Sequence, residues 1–166
     1  ALGSLVALMQ SNIKRMLAYS TISHIGFVLL GFVTGVVEGY GAAVFYVLVY
    51  ILMSLAAFGS IIALNKSGFE ADQISDYQGL SKHSPWFALI ILVVMLSMAG
   101  VPPFIGFYSK LFILQQVIAE GYVILAVIAV VFAVISAYYY LKIIKAMYFD
   151  DADKEITVSA PLDLRV

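Results

Sequence analysis

Residues 97–116 read SMAGVPPFIGFYSKLFILQQ, an apolar stretch broken up by Gly100, the pair Pro102–Pro103 and Gly106, and carrying a single charge, Lys110. It lies inside a run, residues 85–119, of 35 residues with no other charged side chain. A straight helix of that length would extend ~52 Å, too long for a hydrocarbon layer of ~30 Å even with strong tilt. The run is therefore either a hairpin of two short spans or one crossing interrupted at its Gly/Pro cluster. Which of the two holds decides how often the chain crosses a bilayer.

The residues themselves stop a helix near 100–106. Pro102 and Pro103 offer no backbone donor and clash with the preceding turn, and a residue before proline avoids helical geometry. Gly100 and Gly106 permit sharp backbone paths. Non-helical backbone at membrane depth is tolerated only where protein or a wet cavity covers it. The interruption reads as a simple proline kink or as a discontinuous helix of the kind found in ion-coupled transporters, and the residues alone leave both open.

Composition makes the bilayer the solvent. Of 166 residues, 63% are hydrophobic and 11% charged, with a net charge of −1, and the mean hydropathy is +1.03. Soluble domains stay near half apolar and about a quarter charged. The expected class is an all-α polytopic membrane protein. The near-zero net charge gives no nucleic-acid signal. With no cysteine, the chain has no disulfide, thiol nucleophile or iron–sulfur ligand. The opening ALGSLVALMQ lacks a basic n-region and a small-residue cleavage site, so it is not read as a signal peptide. It reads instead as the end of a membrane helix, and the chain as a piece of a longer membrane protein.

The expected organisation is a single membrane region, 1–166, with spans at about 1–9 (partial), 16–37, 42–64, 85–119 (broken near 100–106) and 122–141. That makes about four complete transmembrane helices, one of them discontinuous. The expected connections are the polar turn 10–15, tight turns at Glu38–Gly41 and Glu120–Gly121, and a polar loop at 65–84. Charge bias chooses between hairpin and single crossing, because cytoplasmic loops carry the Lys and Arg excess. With 85–119 as one crossing, Lys14, Arg15, Lys66, Lys82, Lys142, Lys145, Lys154 and Arg165 share one side, and the opposite loops hold only Glu38 and Glu120. A hairpin would abolish that bias. The single broken crossing is expected, with the Lys/Arg-rich loops cytoplasmic.

Lys110 then falls ten residues before the Glu120 turn, ~15 Å deep. A lysine at the bilayer centre costs ~2.5–3.5 kcal/mol on insertion scales, and it is too far from a helix end to snorkel. Desolvation disfavours a charged amine, so an amine at that depth is suited to exchanging a proton near neutral pH. The bland alternative is a permanent structural pair with an acidic group. His24 lies nine residues beyond Arg15, ~13 Å deep, with Ser20 one turn before it. It is a candidate proton relay or a neutral histidine bonded to a neighbouring helix. Tyr46, Tyr50 and Ser54 recur every four residues and make one polar stripe. The stripe reads as water-holding, as a bridge to Lys110, or as interhelical bonding alone. His83 reads as solvated in the loop. Trp86, Tyr40, Tyr122 and Tyr138–Tyr140 read as interface aromatics. The spaced glycines of GFVTGVVEGYG follow no strand, so they are no nucleotide fingerprint, and no metal-ligand spacing or nucleophile–base pair is evident.

QSNIKRMLAYSTISHIGFVL (10–29) resembles the motif shared by the antiporter-like membrane subunits of respiratory complex I. YILMSLAAFGSIIAL (50–64) and LSMAGVPPFIGFYSKLFIL (96–114) resemble more narrowly the N-type subunits of the bacterial NADH:quinone oxidoreductase. The resemblance covers essentially the whole chain. It implies a fourteen-helix subunit with two inverted five-helix repeats, this chain being most of the second. It implies a proton-path role for Lys110 on the broken helix and, less directly, for His24. The related M-type subunits carry a glutamate at the Lys110 position, and the M and L types a histidine near Phe45 and Tyr46. The implied function is proton translocation coupled to electron transfer from NADH to quinone. The chain itself would carry no cofactor. NADH, FMN, iron–sulfur clusters and quinone would be bound by other subunits of the complex, its partners in the bacterial inner membrane along with the lipid bilayer. Subunits of multi-subunit cation/proton antiporters share the KR-LAYS and SH-G elements and are the alternative.

Overall fold

The computed structural model describes residues 1–66 and 72–151, so Lys154, Arg165 and residues 67–71 of the polar loop lie outside the described residues. Among the described residues seven α-helices follow one another: α1 (Leu2–Leu8), α2 (Ile13–Val33), α3 (Val37–Lys66), α4 (Leu80–His83), α5 (Pro85–Ala99), α6 (Ile105–Ala119) and α7 (Val123–Phe149), with a 3₁₀ turn at Ile74–Tyr77. Helices α2, α3 and α7 are each long and apolar enough to cross a bilayer, while α5 and α6 are shorter apolar helices.

The helix ends follow from local chemistry. Asn12 caps α2, its side chain accepting from the Arg15 N–H at 3.0 Å. Pro85 opens α5, where a missing N–H costs nothing. The expected turn at Glu38–Gly41 is not there: these residues form the first turn of α3. The chain reverses at Thr34–Val36 instead, where Gly35 takes φ +72°. Gly39 serves close approach rather than turning, since a Cβ on it would collide with the Thr34 side chain and the Gly31 carbonyl.

Packing settles how α5 and α6 run. The Ile13 N–H donates to the Asp72 carbonyl and the Ile74 N–H to the Ser11 carbonyl, both at 2.9 Å. Lys14 pairs with Asp72 at 2.6 Å. The Gly79 N–H reaches the Ala146 carbonyl at 3.2 Å, and Lys82 reaches Asp151 at 2.7 Å. The start of α2, the loop after α3 and the end of α7 therefore meet at one end of the bundle. A hairpin at 85–119 would have sent the end of α7 to the opposite end. Together α5 and α6 traverse the bundle once, α5 against α7 and α3, α6 against α3 and α2.

The surface is apolar, with Leu48, Leu52 and Leu55 on α3 and Val127, Val131 and Val134 on α7 all exposed. Polar groups turn inward: Ser4, Ser20, Ser23, His24, Ser97, Ser109, Lys110 and Ser136 are buried. That distribution suits a bilayer, where interhelical contacts rather than the periphery satisfy polar atoms. Trp86, Tyr40, Tyr122 and Tyr138 are exposed, but Tyr139 and Tyr140 are fully buried and belong to the core rather than to an interface. The reason is phase: Ser136, Tyr139 and Tyr140 lie three and four residues apart, on the face α7 turns inward.

Candidate functional site

The break between α5 and α6 is a site built from the ends of two half-helices. An α-helix leaves its last four carbonyls without intrahelical donors, and in lipid no water meets them. At the end of α5 all four are accounted for. The Leu96 carbonyl accepts from the Gly100 and Val101 N–H groups, both at 3.1 Å, and Ser97 from Gly100 at 3.0 Å. This closing turn needs a left-handed residue, and Gly100 supplies it with φ +83°. The carbonyls of Met98 and Ala99 both accept from Lys110 Nζ at 3.0 Å. The one lysine of the apolar run thus sits where the unwound chain leaves two acceptors bare.

On the other side of the gap, the Gly106 N–H donates to Ser97 Oγ at 3.2 Å, and Ser97 Oγ in turn contacts Met53 Sδ at 3.0 Å. The unwound stretch is Gly100–Phe104, with the Pro102–Pro103 bond cis. Gly106 itself is helical, in the first turn of α6. Its lack of a Cβ answers a steric demand, because a Cβ would run into the Ser97 carbonyl.

Lys110 is 7% exposed. Among the described residues it forms no ion pair; beyond the two carbonyls its Nζ lies 5.7 Å from the Phe27 ring centroid. The negative end of the α5 dipole adds to the attraction for an ammonium. The amine's chemistry fits two states. As an ammonium it has three N–H donors, two committed and one without an acceptor among the described residues. As a neutral amine it still has two N–H groups for the same two carbonyls. The seat therefore survives loss of the proton.

His24 forms a second, separate cluster. Its Nδ1 lies 2.8 Å from the Tyr46 hydroxyl and its Nε2 3.0 Å from the Tyr140 hydroxyl. The Tyr50 ring stacks on the imidazole at 4.6 Å, and the Tyr50 hydroxyl donates to Thr21 Oγ1 at 2.7 Å. A neutral imidazole needs one donor and one acceptor. Two flanking phenols serve either tautomer by exchanging roles, so the trio can pass a proton from one hydroxyl to the other. The tyrosine stripe thus turns to His24 rather than to Lys110, and Ser54 makes no side-chain hydrogen bond among the described residues. Sequence reasoning missed Tyr140, Ser97 and Phe27. The Ser136/Tyr140 spacing was a visible signal for the first; the others had none. Among the described residues no group of His, Asp or Glu could hold a metal ion.

Fold and site together define a polytopic membrane protein of the antiporter-like class, with an ionisable residue on a broken helix. Residues 1–136 match the family described as NADH:quinone oxidoreductase/Mrp antiporter, transmembrane region, and the chain belongs to that family. NADH-quinone oxidoreductase subunit N of Ruthia magnifica subsp. Calyptogena magnifica is 71% identical over 166 residues, 100% of this chain and 34% of that protein. Subunit N of Azoarcus sp. (strain BH72) is 54% identical over 99% of this chain and 35% of its own length. The chain spans about a third of the length of these curated relatives. Among solved structures, a chain of respiratory complex I from Thermus thermophilus with bound aureothin superposes with TM-score 0.77 and 34% identity, over 96% of this chain and 35% of that one. A chain of the Mrp complex from Dietzia sp. DQ12-45-1b gives TM-score 0.83 and 28% identity, over 90% and 28%.

Proposed function

We propose that this chain is the proton-conducting second repeat of an N-type membrane subunit of NADH:quinone oxidoreductase. The observation that carries the reading is Lys110: a buried amine on an interrupted crossing, seated on backbone carbonyls, with no acidic partner among the described residues. A structural lysine would be neutralised by a carboxylate. This one is held by neutral acceptors that serve its charged and uncharged forms alike, which is what storing and releasing a proton requires. A second cation arriving nearby would disfavour the charge on Lys110 and expel its proton.

In the working complex the subunit lies in the bacterial inner membrane, beside other membrane subunits, with the end holding Lys14, Lys82 and Lys145 toward the cytoplasm. The redox groups, FMN, iron–sulfur clusters and quinone, sit on other subunits, and this chain has no cysteine to ligate a cluster. The 71% identity to an N-type subunit over the whole chain favours this reading over a cation/proton antiporter subunit.

The test is Lys110→Met in the full-length subunit of the assembled complex. Proton pumping per NADH oxidised should fall markedly while the complex still assembles. Undiminished pumping would remove Lys110 from the path, and sodium-dependent proton exchange without NADH oxidation would point to the antiporter instead.

A further inference from the structure

The lysine seat and the histidine cluster lie close together without being hydrogen-bonded, and one ring touches both. Phe27 follows His24 by three residues on α2 and is 5% exposed. Its ring lies nearly parallel to that of Tyr46, with centroids 5.8 Å apart and planes 4° apart. Lys110 Nζ stands 5.7 Å from the Phe27 centroid. Among the described residues the amine bonds only to the Met98 and Ala99 carbonyls, and the Tyr46 hydroxyl only to His24.

Proton transfer needs a donor and acceptor within ~2.6–3.2 Å, directly or through one water. A phenyl ring provides neither group. Apart from Tyr46, whose hydroxyl is committed to His24, the buried residues clustered with it, Ala42, Ile113, Val117, Ala126 and Ala129, are apolar and offer a bridging water no partner. The ring also attracts a cation to its face, which favours an ammonium waiting at its seat.

We propose that Phe27 is a gate between the Lys110 proton store and the His24–tyrosine relay. The inference rests on the proton-translocating reading above. With the ring in place the gap is sealed. When the ring moves aside, a water enters and the ammonium gives it a proton. That water passes a proton to the Tyr46 oxygen as Tyr46 hands its own to His24 Nδ1. The lysine is left neutral and the imidazole charged until the Nε2 proton leaves by way of Tyr140.

The test measures passive proton conductance of the whole complex in sealed vesicles, without NADH, under an imposed pH gradient. Phe27→Ala should raise conductance on the order of tenfold, since a hydrated gap restores the transfer distance. Phe27→Leu should restore tightness by refilling the gap with apolar bulk, and Phe27→Ala combined with Lys110→Met should abolish the leak. A tight Phe27→Ala complex, a leak indifferent to Lys110→Met, or equal leaks from the Ala and Leu variants would each overturn the gate. Should Phe27→Ala fail to assemble, Phe27→Tyr keeps the ring volume while adding a hydroxyl, and it should leak; a tight Phe27→Tyr complex overturns the proposal. Normal pumping by Lys110→Met alone is the failure of the proposed function. A tight Phe27→Ala complex beside a non-pumping Lys110→Met complex is failure of the gate only.

Discussion

The two buried ionisable groups are housed in opposite ways. Lys110 sits where the helix is interrupted, and its partners are backbone carbonyls. His24 sits in an unbroken helix, and its partners are phenols on two other unbroken helices. The cause lies in the side chains. A lysine only donates when charged, and in an intact helix every carbonyl short of the last turn already has its donor. A helix that ends beside a buried lysine offers it bare carbonyls where no carboxylate is at hand. An imidazole both donates and accepts, so two hydroxyls suffice and the backbone can run through. The lysine site is as a result a property of the fold, whereas the histidine site is a property of four side chains.

If that contrast is right, bulk at the break should cost more than any loss around His24. The largest effect is expected from Gly106→Val, whose Cβ would meet the Ser97 carbonyl, a backbone atom with no room to yield. Overpacking of that kind costs about 3 kcal/mol or more, and the subunit should be missing from the complex on a native gel. His24→Ala should come second. It strands the buried Tyr46 hydroxyl, at about 1–3 kcal/mol, whereas Tyr140 keeps Ser20 within reach, and it cuts the relay. Assembly should survive in reduced yield, with pumping lower than the yield explains. If His24→Ala prevented assembly while Gly106→Val was accepted, the contrast would be reversed.

A smaller effect separates the two halves of the lysine seat. Gly100→Ala places a Cβ at φ +83°, which costs roughly 1–2 kcal/mol. That Cβ would stand 3.0 Å from Lys110 Cδ and Nζ. Those atoms end a flexible chain, so the amine can give way where the Ser97 backbone cannot. The complex should assemble with a modestly lower melting temperature, and pumping should fall because the amine is displaced from its carbonyls. Full pumping would show that the exact seat is immaterial.

How much of this the sequence revealed follows the same division. The break was legible because Pro102 and Pro103 act locally, removing two helix donors and clashing with the preceding turn, and Gly100 is free to take the left-handed turn that ends the first half-helix. That Lys110 and His24 lie inside the bundle, away from its polar end, was suggested by residue counts between polar turns, and both are buried. That 85–119 would run once along the bundle rather than double back was suggested by where Lys and Arg lie, and the packing of its two half-helices agrees. The partners were not legible. That Lys110 would reach back to Met98 and Ala99 depends on how two half-helices meet, and the Tyr140–His24 bond joins residues 116 positions apart. Tyr139 and Tyr140 were misplaced at the interface because tyrosine near a helix end suits an aromatic belt as well as a buried hydroxyl. The turn put at Glu38–Gly41 went astray for a similar reason. Glycine marks both turns and close helix contacts, and only the neighbouring helix distinguishes Gly35 from Gly39.

The smallest effect belongs to the polar end of the bundle, where water does what buried partners do within. Lys82 donates to the Asp151 carboxylate at 2.7 Å, and that bond together with the nearby charge holds the Asp151 pKa below its ordinary value. A carboxyl with a depressed folded-state pKa contributes stability above its unfolded pKa, near ~3.9, and loses it as pH falls through the lower folded value. The contribution is thus fully present at neutral pH and decays only in strong acid. Both partners are exposed, with side chains 66% and 91% accessible, so solvent and salt screen the pair. Asp151→Asn should leave the melting temperature of the complex unchanged at neutral pH, in low salt and high salt alike. A clear drop in low salt would mean that this end of α7 is held by charge, and that buried partners are not the only ones that matter to the bundle.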